Sequence, residues 1–576
     1  MIVKRMRNLP TFCHLFFLST FLFSLSGTSY GKSAPMTSQE IASKWPRHNP
    51  ARVQKLLQTK KPLHLLRMLA EDTWVYFDKM VDPDTNFVFD NILISSQKTL
   101  LADYTSITNI GLHMACIIGA EKIHLVSHKK ALRLLNKTLE ALGRLKRWNG
   151  LWFNYYKVTK DEHDKTQTST YVSSVDNSWL AAGLILVRNT YPSLEKICTT
   201  YLEKMDFSSL YDKSMNLFHP GIDTRKDHAQ NNHYGLLNSE ARMISYIACA
   251  KGDVPLKHMF SLNRTLPKEW SWPAQRPKGF LASNHATQKT YFQGHYLYQP
   301  LAEQTSKEYR GYKKFNKFSM IRSLKKDIAK VKDLEKTSPT LLTKKQSIVN
   351  EVKTISPDQK VSPIKFVPSW GGSLFEALMP LLFVNESKHF SKSWRINHQR
   401  MVNIHIDYSL ADKKYPLWGM SPCSIPESQN SYRYTEYGVP TARSAERPYN
   451  EDGVVTPHVT FLSMLVYPEK AVKNIRNYLY LYPEKVYGPC GLYDAVNVKT
   501  DQVAPVYLAL DQAMTFLALV DVLTQGKIRK IFESDPWFGS HGKFEKMVDL
   551  CNESFFKKPI EITKKNKKKK SILKKI

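Results

Sequence analysis

Cysteine is scarce, with seven residues in a chain of 576. One of them, Cys13, lies in the amino-terminal region, and the other six are widely spaced. That spacing excludes a disulfide-dense fold and a thiolate zinc site. Beyond the first 35 residues no apolar run reaches the roughly 18 residues that a membrane span needs. There is no Gly-rich phosphate loop, no serine nucleophile elbow, and no His/Asp/Glu cluster at metal-ligand spacing, so neither a cofactor nor a metal is expected. Strand-like alternation is rare. Acidic residues are outnumbered, 51 Asp and Glu against 83 Lys and Arg, for a formal charge of +32. Two segments, 307–365 and 557–576, carry most of that excess, chiefly as lysine, and a lysine stripe is weak evidence for nucleic acid as a partner, so none is expected. Solvation, or loose contact with an anionic membrane or envelope through the basic tail, suits such charge better.

The amino terminus reads as an export signal over 1–34: Lys4, Arg5 and Arg7 precede a short apolar run from Leu15 to Leu25, and small residues follow near Gly31 and Ala34. The expected location is therefore exported, periplasmic or extracellular. The body is expected over 35–556, with a Lys-rich insertion about 285–365 and a basic solvated tail at 557–576. Cys116 and Cys249 sit in apolar helical stretches and read as core thiols, while Cys423 and Cys490 are the pair first considered for a disulfide.

Helical periodicity dominates what is present. Pro62 to Met80 carries a broad apolar face, and Leu132, Leu135, Leu139 and Leu142 recur on one side of a helix that Ser127 can cap. Further helices are predicted at 108–121, 177–190, 193–205, 238–251, 373–383, 388–410, 456–465, 468–480, 507–524 and 542–556. About a dozen helices joined by loops rich in Gly, Pro and aromatics predict an all-α chain closed as an α/α toroid, with a helical repeat array as the alternative.

The stretch Val367–Asp452 mixes Gly and Pro with aromatic rings beside carboxylates. That mixture suits a sugar site, in which flat faces stack on pyranose rings and carboxylates bind hydroxyls or move protons. An irregular aromatic core with satisfied acids would read the same way. Trp370, Trp418, Tyr434, Tyr437 and Tyr493 are candidate platforms, and Asp176, Glu376, Glu436 and Asp494 are candidate bases beside a possible acid at Glu240. Each has a structural alternative. Glu240 can pair with Arg242, Asp176 can cap the helix near Asn177, and Glu376 can satisfy amides after Gly371-Gly372. His233, His458 and Asp511 read as hydrogen-bonding residues.

Several stretches in order resemble the glycoamylase-like domain family, which includes bacterial endo-β-1,2-glucanases and the transglycosylase domain of cyclic β-1,2-glucan synthases. They include Asp82-Pro-Asp-Thr-Asn-Phe-Val-Phe-Asp90, Tyr171-Val-Ser-Ser-Val-Asp-Asn-Ser-Trp-Leu180 and Tyr234-Gly-Leu-Leu-Asn-Ser-Glu-Ala-Arg242. Ser369-Trp-Gly-Gly-Ser-Leu-Phe-Glu-Ala-Leu-Met-Pro380, Trp418-Gly-Met-Ser421 and Gly491-Leu-Tyr-Asp-Ala-Val496 continue the series. The resemblance implies an (α/α)6 toroid with a Lys-rich insertion and a glycoside hydrolase acting on a β-glucan. It implies Glu240 as general acid, Asp176 as a cleft acid, and Glu376 and Asp494 as further cleft carboxylates. In the transglycosylases a nucleophilic Glu follows the Trp-Gly-x-Ser stretch. Here Pro422 stands in its place, which implies the hydrolytic, inverting branch. A non-catalytic glycan-binding protein on the same fold and an envelope adaptor using the basic segments are the competing readings.

Overall fold

The computed structural model describes residues 50–94, 99–158, 168–226, 228–229, 232–262, 296–298, 340–350, 364–427, 433–444, 449–450, 452–539 and 543–554. The export signal at 1–34, most of the 285–365 insertion and the tail at 557–576 lie outside them. Among the described residues no helix is long and apolar enough to cross a membrane.

Among the described residues, twelve of the helices alternate between an inner and an outer ring. The outer ones are α1 (Pro62–Lys79), α3 (His128–Arg144), α5 (Pro192–Lys204), α7 (Lys257–Ser261), α9 (Trp394–Ile406) and α11 (Pro468–Leu481). The inner ones are α2 (Ile107–Lys122), α4 (Ser174–Thr190), α6 (Arg242–Lys251), α8 (Leu374–Leu378), α10 (Pro457–Ser463) and α12 (Ala509–Thr524). Composition sorts the two sets. Every residue of α2 from Ile107 to Ala120 is buried, as befits a helix enclosed on all sides, whereas α3 buries one stripe: Ala131, Leu135, Thr138, Leu139, Ala141 and Leu142. Pro at the first position starts α1, α5, α10 and α11, where its missing N–H costs nothing.

The inner helices pack in sequence, α2 on α4, α4 on α6, α8 on α10, α10 on α12, and α12 back on α2. The remaining junction, α6 to α8, is made by Arg242, which donates to the carbonyls of Glu376 and Ala377. The ring is therefore closed, and the fold is an (α/α)6 toroid. Short two- and three-stranded ladders decorate its ends. One of them pairs Tyr296–Tyr298 with Ile364–Phe366, at the two edges of the insertion.

The tightest inner contact is between α2 and α4, and it depends on two glycines. A Cβ on Gly111 would stand 2.5 Å from the Trp179 carbonyl and 2.6 Å from Leu180 Cα, while one on Gly183 would stand 2.3 Å from the Gly111 carbonyl. The obstructing atoms are backbone, so neither helix can yield by rotating a side chain. Gly111→Ala is therefore expected to lower stability by about 1–3 kcal/mol, measured by denaturant titration, despite alanine's higher helix propensity.

Three predicted helices differ from the observed ones. That predicted over 238–251 begins at Arg242, because Asn238–Ala241 form turns instead. That over 373–383 stops at Leu378 and continues as a 3-10 turn over Met379–Leu382, since Pro380 cannot donate to the α ladder. That over 388–410 is interrupted at Ser393, whose backbone leaves the helical region, and it ends in a π-helical turn over Asp407–Asp412. The considered Cys423–Cys490 disulfide is also corrected. All six cysteines in the described body are buried thiols outside any disulfide. Cys423 packs in a small cluster with Tyr437 and Val454, whereas Cys490 belongs to the main core.

Candidate active site

All six inner helices begin at one end of the ring. Thr108 of α2 donates to Asp176 of α4 at 2.6 Å, and Arg242 of α6 reaches the first turn of α8. Leu374 and Thr456, which lead α8 and α10, donate to the adjacent carbonyls of Met420 and Gly419. His458 of α10 stands 3.4 Å from Asp511 of α12, and Asp90 links Ala509 of α12 to Asn109 of α2. Serine caps fix the first turns: Ser106 accepts from Asn109 N–H, Ser173 from Asp176 N–H and Ser373 from Glu376 N–H. Asp176 is thus the third residue of α4 and is not its cap, which leaves its carboxyl free to face across the ring.

Glu240 sits in the turn before α6, 8% exposed, and its carboxyl accepts from the Ser239 hydroxyl at 3.0 Å. Arg242 does not pair with it. The guanidinium instead forms a two-pronged bond to Glu386, at 2.7 and 2.9 Å. Loss of solvent raises the Glu240 carboxyl above its ordinary range, opposed by its local hydrogen bonds and by Arg242, with a smaller upward push from Asp176. Asp176 is raised by loss of solvent too, opposed by hydrogen bonds from Ser173, Thr108 and Asn154.

Glu376 is fully enclosed, and burial followed by repulsion from Glu240 pushes it up to about 8. Both of its oxygens nevertheless accept from backbone N–H groups, Gly371 at 3.1 and 3.0 Å and Ser373 at 3.3 Å, in a capping box. Donors aimed at both oxygens favour the charged form of Glu376. A proton held by this Glu240–Glu376 pair therefore resides on Glu240, the member with the poorer hydrogen bonding. The geometry makes Glu376 an anchored anion and Glu240 a protonated, slightly open carboxylic acid.

A second acidic group lies across the ring. Asp494 Oδ2 accepts from Ser424 N–H at 2.6 Å, its carboxyl lies within hydrogen-bonding reach of Asp511, and both ring nitrogens of His458 have no hydrogen-bond partner. Asp511 thus bonds as expected, while the reading of His458 as a hydrogen-bonding residue is corrected. His233 does make its expected bond, to Asp212 Oδ2 at 2.9 Å.

The candidate platforms divide by exposure. Trp418 and Tyr437 are buried, Trp418 in the main core and Tyr437 beside Cys423. Trp370, Tyr434, Glu436 and Tyr493 are half-buried. Tyr434 is within electrostatic reach of Asp511 and Asp494, which together with burial raises its phenol well above the ordinary value.

Residues 336–536 match the glycoamylase family model, and residues 68–242 match a family described as a protein of unknown function, DUF3131. Over 336–536 the chain is thus similar to the glycoamylase family, a match to about a third of its length. Over 558 residues it is 22% identical to the cyclic β-(1,2)-glucan synthase NdvB of Rhizobium meliloti, covering 84% of this chain and 18% of that protein. A shorter match, 23% over 176 residues, is to an exo β-1,2-glucooligosaccharide sophorohydrolase of Parabacteroides distasonis, covering 30% of this chain and 23% of that one. The chain thus spans less than a quarter of the length of either curated relative. The endo-β-1,2-glucanase of Chitinophaga pinensis, solved with sophorotriose and glucose, superposes with a TM-score of 0.53 at 14% identity, over 84% of this chain and 97% of that one. At that identity the likeness establishes the shared toroid.

Two residues of the acidic ring were not singled out as site candidates from the sequence. Asp90, which accepts from Asn91 and Asn109, is raised to about 6 by loss of solvent. Thr108 holds Asp176. The available signal was positional: Thr108 and Asn109 occupy the first turn of an inner helix, as Asp176 does.

Proposed function

We propose that this protein is an exported glycoside hydrolase that cleaves a β-glucan, of the β-1,2-linked class, with inversion. The observation that carries the reading is Glu240: a carboxylic acid just before an inner helix, raised above its ordinary range chiefly by burial, with a smaller push from Asp176, and itself repelling Glu376. Donation from such a group to the glycosidic oxygen is the acid half of glycoside hydrolysis. Asp176, aligned by Thr108, is the carboxylate that activates water, directly or through a substrate hydroxyl. The half-buried Trp370, Tyr434 and Tyr493 offer flat faces to pyranose rings. The names of the relatives, a β-1,2-glucan synthase and β-1,2-glucanases, support the linkage. Pro422 supports inversion, because it occupies the place of the nucleophile in the transglycosylase pattern. The basic, then apolar, amino terminus supports export.

Incubation with β-1,2-glucan tests this reading. Reducing ends should appear, and proton NMR of the first product should show the α anomer. Binding to the glucan without release of reducing ends, across β-1,2-, β-1,3- and β-1,4-linked polymers, would overturn it.

The pH profile follows from the same carboxyl. A raised Glu240 stays protonated above the ordinary 4.5, so kcat/KM should persist past that pH and fall on its alkaline side as Glu240 ionises. An alkaline limb centred at or below 4.5 would contradict the assignment of the acid.

A further inference from the structure

The chemistry proposed for Glu240 leaves the opposite side of the ring unused. There His458 Nδ1 stands 3.4 Å from Asp511 Oδ2 and 3.9 Å from Asp494 Oδ1, and the three ligand atoms lie within 4.8 Å of one another. We propose that His458, Asp494 and Asp511 bind one divalent transition-metal ion, of the zinc or manganese class, at the start of α10 and α12.

Four observations converge on an ion. First, the three side chains are at most 4% exposed, so bulk water does not solvate them. Second, neither ring nitrogen of His458 has a hydrogen-bond partner, and the facing carboxylate oxygens meet only each other and receive no N–H or hydroxyl donor, although buried polar atoms are almost always paired. Third, two carboxylates and an imidazole supply two negative charges and one nitrogen lone pair, which neutralises a dication and matches borderline metals better than calcium or magnesium. Fourth, the spacing is close to that of a site: ligands held about 2.0–2.2 Å from a tetrahedral zinc stand roughly 3.3–3.6 Å from each other, and the 3.4 Å His458–Asp511 separation lies in that range while the 3.9 Å His458–Asp494 separation has to close slightly. The set is also braced. Ser424 N–H fixes the second oxygen of Asp494, as outer-shell donors fix metal-bound carboxylates. Gln512 Oε1, adjacent in sequence to Asp511, is likewise a buried acceptor without a partner.

The other cluster of suitable residues, Asp212, His219 and His233, is less buried, and its His233 already bonds Asp212 at 2.9 Å. It serves as a control. The competing account of the buried trio is a single proton shared between Asp494 and Asp511, with no metal.

The experiment uses the full chain. Protein stripped with EDTA is saturated with zinc chloride or manganese chloride, freed of excess ion by gel filtration, and its metal measured by mass spectrometry beside its melting midpoint. One ion per chain is expected, with a higher midpoint than the stripped protein, and no sugar is needed. Asp511→Asn and His458→Gln should lose the ion, and His219→Ala should retain it. No retained metal and an unchanged midpoint in the wild type would overturn the site in favour of the shared proton. An ion that survives Asp511→Asn but leaves with His219→Ala would also overturn it, by placing the metal at the surface cluster. Should a variant fold poorly, anomalous diffraction from wild-type crystals soaked in zinc decides the same question. Loss of hydrolysis would not bear on it, because the readout is metal content.

Discussion

Glu240→Gln is expected to lower kcat on β-1,2-glucan by about 10²–10⁴-fold, with KM little changed. The amide keeps the shape of the side chain and can still accept from the Ser239 hydroxyl, so the local turn should persist. What it cannot do is deliver a proton to a departing sugar oxygen. The diagnostic measurement is therefore made on two substrates. On the natural glucan the leaving group is a sugar alkoxide that needs protonation, and the deficit should be full. On an aryl glycoside of the same linkage the leaving group is stable as an anion, and most of the deficit should disappear. Folding is checked by the melting midpoint, which should hold or rise, because the substitution removes a carboxyl from a group that repels itself. A loss smaller than tenfold on the glucan, or an equal loss on both substrates, would exclude Glu240 as the acid.

The ring was legible in the sequence because it is written in local rules. Ser127 and the Leu132–Leu142 stripe define an outer helix with one apolar face, while the apolar runs of α2 and α12 have no polar face and must be enclosed. Helix ends were less legible where tertiary contacts decide them. Nothing near Asn238 reveals that its side chain donates to the Val367 carbonyl, holding the turn that presents Glu240. The site was legible only in part, for a related reason. Asp176, Glu240 and Glu376 each occur near a helix start, which local patterning detects, but their mutual repulsion depends on ring closure. His458, Asp494 and Asp511 are too far apart in sequence to suggest a group. Arg242 misled most directly. Its neighbour Glu240 is two residues away, yet its partner Glu386 is 144 residues away, because the guanidinium points across the α6–α8 junction.

That junction makes Arg242→Met the substitution with the largest expected cost to the fold. Arg242 is fully buried, forms two bonds to Glu386, lies 4.2 Å over the Trp394 ring, and donates to the carbonyls of Ser239, Glu376 and Ala377. Glu386 also accepts from His398 at 2.8 Å and Tyr246 at 2.6 Å. Removing the arginine leaves a buried carboxylate without its main counter-charge, at a cost of about 3–5 kcal/mol. For a ring of this size the melting midpoint should fall by a few degrees. Removing both charges, as Arg242→Met with Glu386→Met, should recover most of that loss, since it is the unpaired charge that is expensive. The pH dependence has a definite sign. Burial alone would raise Glu386, but Arg242 and then His398 outweigh it and hold the carboxyl at about 2. A depressed folded value stabilises above the ordinary 4.5, and the contribution is lost as pH falls from there towards 2. The double variant should therefore show a flatter decline in stability across that acid window than the wild type. Activity should report the same junction from the other side: the lost bonds to the Ser239 and Glu376 carbonyls loosen the backbone that aims Glu240, so Arg242→Met should lower kcat even below the temperature at which it unfolds.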